Sequence, residues 1–207
     1  MNPYERYVLP YLIDAVCGLP TFEDERKRLV PRAQGRVLEI GVGTGRNLPH
    51  YAAGRVSCVC GVDPGLHPKA VRRAQAQGIQ LEALPLSAER IPVEDHSFDC
   101  VVCTFSLCTI PDPVAALAEM RRALKPGGQL LFAEHGAAPD PGLRRWQDRI
   151  TPYWKVIGGG CHLNRPIDAL VERGGFRIEE GWQGFVRAPR LLGYFYTGVA
   201  VPLPDKT

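Results

Sequence analysis

A short apolar run that ends in closely spaced glycines constrains the fold of this chain more than any other feature. Residues 37–40 are apolar except for Glu39, and they are followed by Gly41, Gly43 and Gly45. Glycine has no Cβ and adopts positive φ readily, so the pattern predicts a buried strand and a tight turn against which a ligand can lie. The amides of such a turn favour negative charge, whereas the Glu39 carboxylate favours a cationic group.

The glycine spacing distinguishes between two classes of ligand. A dinucleotide-binding turn has the spacing G-x-G-x-x-G, but here the third glycine comes one position early and Arg46 stands where that motif has glycine. A second predicted strand, 56–62, ends at Asp63, which lies 22 residues after Gly41. A carboxylate at this place accepts hydrogen bonds from both hydroxyls of a ribose. The glycine spacing and Glu39, which would repel a pyrophosphate, therefore disfavour a dehydrogenase.

These residues resemble the S-adenosylmethionine site of class I methyltransferases. Residues 87–92 (SAERIP) and 95–99 (DHSFD) are similar to a stretch found in the quinone-methylase-like branch of that family. Residues 124–130 (LKPGGQL) resemble the turn before its fifth strand. The resemblance covers residues 37–135 and is specific for fold and cofactor, not for the methyl acceptor.

The resemblance implies which residues bind the cofactor and its product S-adenosylhomocysteine. The glycine turn would hold the methionine part, Glu39 would order that turn, and Asp63 would hold the ribose. Ser87 replaces the usual acid beside the adenine, and its hydroxyl accepts a hydrogen bond less strongly than a carboxylate does. The adenine contact is therefore assigned first to the Ala88 amide. The full expected set is Glu39, Gly41, Gly43, Thr44, Gly45, Asp63, Pro64, Ser87, Ala88 and Phe105.

A second string of residues, 134–165, extends the resemblance to the acceptor region. It is similar to the mammalian methyltransferase-like thiol methyltransferases of the endoplasmic reticulum and lipid droplets, and to their soluble bacterial relatives. The resemblance implies a small apolar acceptor, with a thiol as the leading hypothesis. Alternatives are O- or N-methylation of a quinone, phenol or phospholipid amine, and cofactor binding without catalysis. The expected acceptor pocket consists of Tyr11, Trp154, Cys161 and His162.

His135 is the candidate catalytic base, because it ends the predicted fifth strand and histidine titrates near neutrality. The alternative is a histidine that only shapes the pocket. Cys161 and His162 follow three glycines, and this segment is read as an acceptor contact, a soft-metal ligand pair or a mobile loop. Cys100 and Cys103 lie on opposite faces of a predicted strand, so core packing is favoured for them over a metalloid site with Cys108. No metal site is predicted.

Strand and helix signals alternate along the chain, which favours a parallel sheet covered on both faces. We expect an α/β fold with a Rossmann-like, mostly parallel seven-stranded sheet and a C-terminal antiparallel hairpin. The single domain, 1–207, divides into an N-terminal helical lid (1–34), a cofactor-binding half (36–135) and an acceptor-side half (136–207). Predicted strands are 37–41, 56–62, 79–84, 99–104 and 129–135, with a closing pair at 176–178 and 193–201. Predicted helices are 4–16, 22–33, 47–53, 67–77, 113–124, 141–150 and 166–173.

Composition limits the remaining function classes. A net charge of +3 without a basic run disfavours a nucleic-acid partner. Seven cysteines are an odd number for a disulfide framework, so free thiols and a cytoplasmic location are expected. No signal peptide or long apolar run is visible, and we expect no stable membrane insertion. Residues 7–13 are read as part of a lid, or as a weak membrane-surface contact. The oligomeric state is left open.

Overall fold

One mixed sheet forms the centre of the molecule. The computed structural model describes residue 4 and residues 7–204, and within these the sheet has seven strands in the order β3-β2-β1-β4-β5-β7-β6. Strands β1 to β5 pair in parallel, and β7 is antiparallel to both β5 and β6. The strands are β1 (Gly35–Ile40), β2 (Val56–Val62), β3 (Leu81–Leu84), β4 (Phe98–Thr104), β5 (Leu124–His135), β6 (Phe176–Phe185) and β7 (Tyr194–Pro202). This confirms the predicted architecture, including the C-terminal hairpin.

Six α-helices occur in the described part of the chain. They are α1 (Leu9–Cys17), α2 (Pro20–Leu29), α3 (Pro68–Gln77), α4 (Pro113–Ala123), α5 (Pro141–Ile157) and α6 (Ile167–Arg173). Helix α4 begins as predicted, since the Asp112 carboxylate accepts hydrogen bonds from the Val114 and Ala115 amides and Pro113 occupies the first helical position. The part of the predicted first helix that falls on residues 5 and 6 lies outside the described residues.

Two helix predictions differ most from the structure. The helix expected at 47–53 is only a 3₁₀ turn, Leu48–His50, which ends where Tyr51 takes an extended conformation, and Pro49 has no amide hydrogen to donate. Helix α5 runs to Ile157 and contains Pro152. The chain tolerates this proline, and beside it the Thr151 hydroxyl donates to the Gln147 carbonyl at 2.7 Å.

Hydrophobic side chains pack on both faces of the sheet. Leu117 of α4 and Val171 of α6 belong to one cluster, while Leu29 of α2 and Ala70 of α3 belong to the other. Cys103 lies in the first cluster and Cys100 in the second, which confirms the prediction that they occupy opposite faces. All seven cysteines are described, and each is a free thiol. Among the described residues, every helix is too short or too polar to cross a bilayer.

The sheet order reverses between β1 and β4, and this reversal positions the site. In open α/β sheets ligands bind beyond the carboxyl ends of the strands at such a switch point. The glycine turn follows β1 directly, Asp63 follows β2, and Phe105 follows β4. The candidate residues of the sequence therefore converge on one edge of the sheet.

Candidate functional site

The glycine turn after β1 requires glycine for two separate reasons. Gly41, Gly43 and Gly45 all have positive φ, at 71°, 52° and 79°. A Cβ on Gly41 would lie 2.0 Å from the Ser106 Oγ atom, and one on Gly45 would lie 2.8 Å from the Ala70 backbone. A Cβ on Gly43 would meet only open space. The turn is therefore packed against the protein at both ends and open in the middle.

Two carboxylates hold this turn in place. Asp63 accepts hydrogen bonds from the Gly43 amide at 2.7 Å and from the Gly65 amide at 2.8 Å. Glu39 is 1 % exposed and accepts from the Asn47 side-chain amide at 3.0 Å and the Tyr51 hydroxyl at 2.7 Å. Burial raises the pKa of Glu39 to about 7, against the opposing effect of these hydrogen bonds. Both acids keep oxygen lone pairs for a ligand.

A cavity of about 450 Å³ opens beside the turn. Most of the predicted cofactor residues line it: Glu39, Gly41, Gly43, Thr44, Asp63, Pro64, Ser87, Ala88 and Phe105. Gly45 lies behind the turn and supports it, as its contact with Ala70 shows. The Ser87 hydroxyl donates to the Glu89 carboxylate at 2.8 Å and accepts from the Glu89 amide at 3.4 Å, so its oxygen keeps one further acceptor site.

Helix α1 forms a wall of the cavity that the sequence prediction did not resolve residue by residue. Its lining residues recur at helical spacing on one face, which is the signal that would have found them. They are Leu9, Pro10, Ile13, Asp14 and Cys17. Tyr11 lies off this face, is 57 % exposed, and packs edge-on against the His67 ring. The predicted Tyr11 contact therefore lies outside the cavity.

Asp14 fastens α1 to the glycine turn. Its carboxylate accepts from the Thr44 hydroxyl at 2.6 Å, the Arg46 Nε at 2.8 Å and the Lys69 ammonium at 2.7 Å. Burial alone would raise the pKa of Asp14, but these hydrogen bonds outweigh it and lower that pKa below its usual range. Asp14 is thus an ionised, fully engaged anchor.

Arg26 of α2 brings a buried positive charge to the same cavity. It is 3 % exposed and lines the cavity beside Cys17, whose carbonyl accepts from its Nη1 at 2.6 Å. Its guanidinium lies 5.1 Å from the centre of the Phe105 ring. Among the described residues its Nε has no hydrogen-bond partner. Burial lowers the pKa of Arg26. A buried donor without a partner is rare, and here it stands at a cavity wall.

His135 lies outside the cavity lining, in a second group of reactive side chains. Its Nε2 is 3.1 Å from the Cys161 Sγ, and one ligand atom from each of Cys108, His135 and Cys161 lies within 4.8 Å of the others. Burial acts to lower the pKa of His135, but the contact with Cys161 outweighs it and raises that pKa. The Nε2 could reach an acceptor only after Cys161 moves, so the role of His135 as a base stays a prediction.

The other predicted acceptor residues surround this second group. His162 donates its backbone amide, at 2.8 Å, and its Nδ1, at 3.1 Å, to the Cys108 carbonyl. The Trp154 ring packs against Gly158. Their contacts follow from the docking of the 158–163 loop onto the loop after β4, which sequence spacing does not reveal. Trp154, Cys161 and His162 are not among the residues that line the cavity, and their role at an acceptor stays a prediction.

Comparisons with known proteins agree with this geometry. A methyltransferase domain model matches residues 38–132. The chain is 36% identical over 155 residues to the thiol S-methyltransferase TMT1B of Rattus norvegicus, covering 71% of this chain and 62% of that protein. It is 36% identical over 128 residues to a phosphatidylethanolamine N-methyltransferase of Cereibacter sphaeroides, covering 60% of this chain and 62% of that protein. The chain thus spans about three fifths of the length of these relatives.

A solved structure extends the likeness to the whole fold. An S-adenosylmethionine-dependent methyltransferase of Thermotoga maritima, described as a possible histamine N-methyltransferase, superposes with a TM-score of 0.66 at 21% sequence identity. The match covers 97% of this chain and 98% of that one. At this identity the likeness shows the fold alone. Residues 38–132 thus match a methyltransferase domain, and with the sheet order, the glycine turn and the two acids these matches support a class I S-adenosylmethionine-dependent methyltransferase.

Proposed function

We propose that this protein transfers the methyl group of S-adenosylmethionine to a small apolar thiol. The observation that carries the proposal is the cavity at the switch point of the sheet, which joins an open glycine turn and two carboxylates to an apolar wall on α1. The likeness to a thiol S-methyltransferase supports the thiol as acceptor.

The residues of the cavity fit the cofactor at one end. Gly43 leaves open space for the methionine part, and the Glu39 carboxylate suits a ligand that carries positive charge. Asp63 is proposed to accept from the ribose hydroxyls, since a carboxylate has about four acceptor sites and two are used by amides here. Pro64, Ser87 and the Ala88 amide are proposed to border the adenine.

The other end of the cavity suits an apolar acceptor that carries a sulfur atom. Leu9, Ile13 and Ile110 supply an apolar surface there, and the buried Arg26 guanidinium supplies positive charge. A nearby cation favours the ionised form of a thiol and lowers its pKa. Arg26 is therefore proposed to hold the acceptor as a thiolate.

Methyl transfer then depends mainly on alignment. The acceptor sulfur would attack the methyl carbon of S-adenosylmethionine in line, so that the new S–C bond forms as the sulfonium S–C bond breaks and S-adenosylhomocysteine leaves. The chain contributes near-attack geometry by fixing donor and acceptor in one cavity, and α1 limits the access of water. The acceptor proton leaves before transfer, because the thiolate is the nucleophile.

Calorimetry and an acceptor panel test the proposal in two stages. S-adenosylmethionine should bind to the purified protein and NAD should not, because the turn lacks the dinucleotide spacing. Methyl transfer is then measured with alkyl thiols, phenols, a demethylated quinone and phosphatidylethanolamine in vesicles. Thiols should be methylated fastest. If the protein binds the cofactor but methylates only a phenol, quinone or amine, the thiol assignment is wrong.

A phospholipid amine is the second candidate acceptor, because one surface feature favours it. Each of four apolar side chains on and beside α1, the helix that lines the cavity, is more than 40% exposed: Val8, Tyr11, Leu12 and Val16. Apolar side chains in this arrangement can contact a lipid surface. Faster methylation of vesicle phosphatidylethanolamine than of any thiol would favour this candidate. Cofactor binding without methylation of any acceptor would instead favour a binding protein.

A further inference from the structure

Cys108, His135 and Cys161 come from three separate elements and meet outside the lining of the cavity. Cys108 lies in the loop after β4, His135 ends β5, and Cys161 lies in the loop after α5. Their ligand atoms lie within 4.8 Å of one another, and the His135 Nε2 is 3.1 Å from the Cys161 Sγ. Cys100 and Cys103 belong to the hydrophobic clusters, whereas Cys108 and Cys161 belong to neither. Core packing therefore does not explain this group.

We propose that these three side chains bind a thiophilic divalent cation of the zinc class, with a fourth coordination position left for an exogenous ligand. Zn–S distances of about 2.3 Å and Zn–N distances of about 2.0–2.1 Å in a tetrahedron place the ligand atoms about 3.6–3.8 Å apart. The distances between the two sulfur atoms and the imidazole nitrogen, which are at most 4.8 Å, need to change by only about 1 Å to reach that geometry. Two thiolates and an imidazole are also the donor types that zinc prefers over harder ions.

The loops that carry the two sulfur atoms are held in place without an ion. The Glu134 carboxylate accepts from the Ser106 amide at 2.6 Å and the Leu107 amide at 2.8 Å, which fixes the loop before Cys108. The Cys108 carbonyl accepts from the His162 amide at 2.8 Å, which joins this loop to the one that carries Cys161. A site whose ligand loops are already fixed loses little conformational freedom when an ion binds.

Burial and coordination number define the kind of site. Cys108 is 3 % exposed and His135 is 8 % exposed, while Cys161 is partly exposed and leaves a route to solvent. The group contains three protein ligands among the described residues, the number found in zinc sites that keep an exchangeable position. Thr109, next to Cys108, lines the cavity. The fourth position would therefore lie close to the cavity and would accept water or a thiolate.

Metal binding to the full-length protein tests the site without any assay of methyl transfer. Protein freed of metal by a chelator and kept reduced is titrated with zinc chloride in a calorimeter, and the bound metal is counted by mass spectrometry. One ion per chain is expected. Cobalt(II) should give thiolate-to-metal charge-transfer absorption, and added 2-mercaptoethanol should change that spectrum. An unchanged spectrum would overturn the exchangeable position, and the absence of zinc binding would overturn the site.

Matched variants locate the ion. Loss of a residue that only hydrogen-bonds to a metal ligand typically weakens metal binding about 10- to 100-fold. Loss of a ligand itself should weaken it more, so C161S and H135N should each weaken zinc binding by at least about 100-fold. C58S removes a thiol outside the group and should bind zinc as the natural protein does. Circular dichroism verifies folding, and C161A replaces any serine variant that does not fold. Zinc bound at full affinity by folded C161S and H135N would show that the ion lies elsewhere.

Discussion

Single residues divide the cavity into a polar end and an apolar end. Asp63 and Glu39 hold the glycine turn through hydrogen bonds to its own atoms and to the residues that follow it. Arg26 stands at the apolar end with an unpartnered Nε among the described residues. We propose that Asp63 and Glu39 serve the cofactor and that Arg26, whose Nη1 lies 3.6 Å from the Glu23 carboxylate, serves the acceptor. Replacement of each residue tests its role separately.

Replacement of Asp63 should weaken cofactor binding. A hydrogen bond to a charged acceptor contributes about 1.5–3 kcal/mol, and about 1.4 kcal/mol corresponds to a tenfold change in Kd. Asp63→Ala should therefore raise the Kd for S-adenosylmethionine at least about tenfold, as measured by calorimetry. Asp63→Asn keeps one acceptor oxygen, so its Kd for S-adenosylmethionine should lie between that of the natural protein and that of Asp63→Ala. Asp24→Ala, which removes an exposed carboxylate on α2, is the control, and an unchanged Kd in folded Asp63→Ala would exclude Asp63 from the site.

Replacement of Arg26 should change the pH dependence of turnover. Without the guanidinium, an alkyl thiol keeps a pKa near 8.5 and is mostly protonated at neutral pH. Arg26→Gln should lower kcat/KM at pH 7 by about tenfold or more, since one pKa unit corresponds to one decade of thiolate, and alkaline pH should restore part of the rate. Arg26→Lys keeps the positive charge, so its kcat/KM at pH 7 should fall less than that of Arg26→Gln.

The control for Arg26 is Arg28→Gln, because Arg28 lies on the same helix with a 65% exposed side chain. Cofactor affinity is measured in parallel to separate acceptor effects from a loosened α2. Identical pH–rate profiles for the natural protein and Arg26→Gln would rule out the proposed role in ionising the thiol.

At the scale of elements, helix α1 forms a wall of the cavity, and charged side chains hold it there instead of pairing with the sheet. Asp14 alone connects it to Thr44, Arg46 and Lys69. Its other inward-facing residues are apolar and line the cavity. Within the predicted lid (1–34), Asp14 is the carboxylate that joins α1 to the glycine turn, and the Arg26 side chain holds the end of α1 through the Cys17 carbonyl.

Asp14→Asn should loosen this helix and speed cofactor release. The amide keeps the shape but removes the anion of Lys69 and one of the two anions of Arg46, which also pairs with Glu23, and loss of a buried partner costs up to about 3–5 kcal/mol. We expect the dissociation rate of S-adenosylmethionine, measured by stopped-flow fluorescence, to rise about tenfold or more. A tenfold rise corresponds to only about 1.4 kcal/mol, which is part of the free energy lost with the ion pair. Asp95→Asn, in an exposed ion pair with Arg122, should leave the rate unchanged. Equal rates in both variants would show that α1 does not retain the cofactor.

At the scale of the whole molecule, burial of Glu39 links folding stability to pH. Its pKa is raised from 4.5 to about 7 in the fold, so between these values the folded protein holds a proton that the unfolded chain has released. Stability must then fall as pH rises through this window, by up to about 1.4 kcal/mol per pH unit from this group. Below pH 4.5 both states are protonated and the penalty disappears.

Urea unfolding of the cofactor-free protein measures this effect against Glu39→Gln, which has no proton to lose. The free energy of unfolding of the natural protein, minus that of the variant, should decrease from pH 4.5 to pH 7. Glu134 is buried with a similarly raised pKa, but it is present in both proteins and cancels in the difference. A difference that does not change with pH would mean that Glu39 is ionised throughout.

The sequence by itself determined the fold class and most of the cofactor end of the cavity. The glycine turn and Asp63 could be predicted because each follows its strand immediately, and parallel strands bring their carboxyl ends to one edge of the sheet. Helix α4 could be predicted because its cap and its first proline are local signals. In each case neighbouring residues along the chain carry the information.

Tertiary structure alone decided the apolar end of the cavity and the Cys108, His135 and Cys161 group. Arg26 and Asp14 reach the cavity because α1 and α2 pack over the glycine turn, and their sequence pattern shows only a helix with charged residues. The predicted acceptor residues Trp154, Cys161 and His162 are not among the residues that line the cavity, and two loops dock beside them through the Cys108 carbonyl. Such contacts join residues that are distant along the chain. No local spacing encodes them, since they form only when the packed sheet brings the loops together.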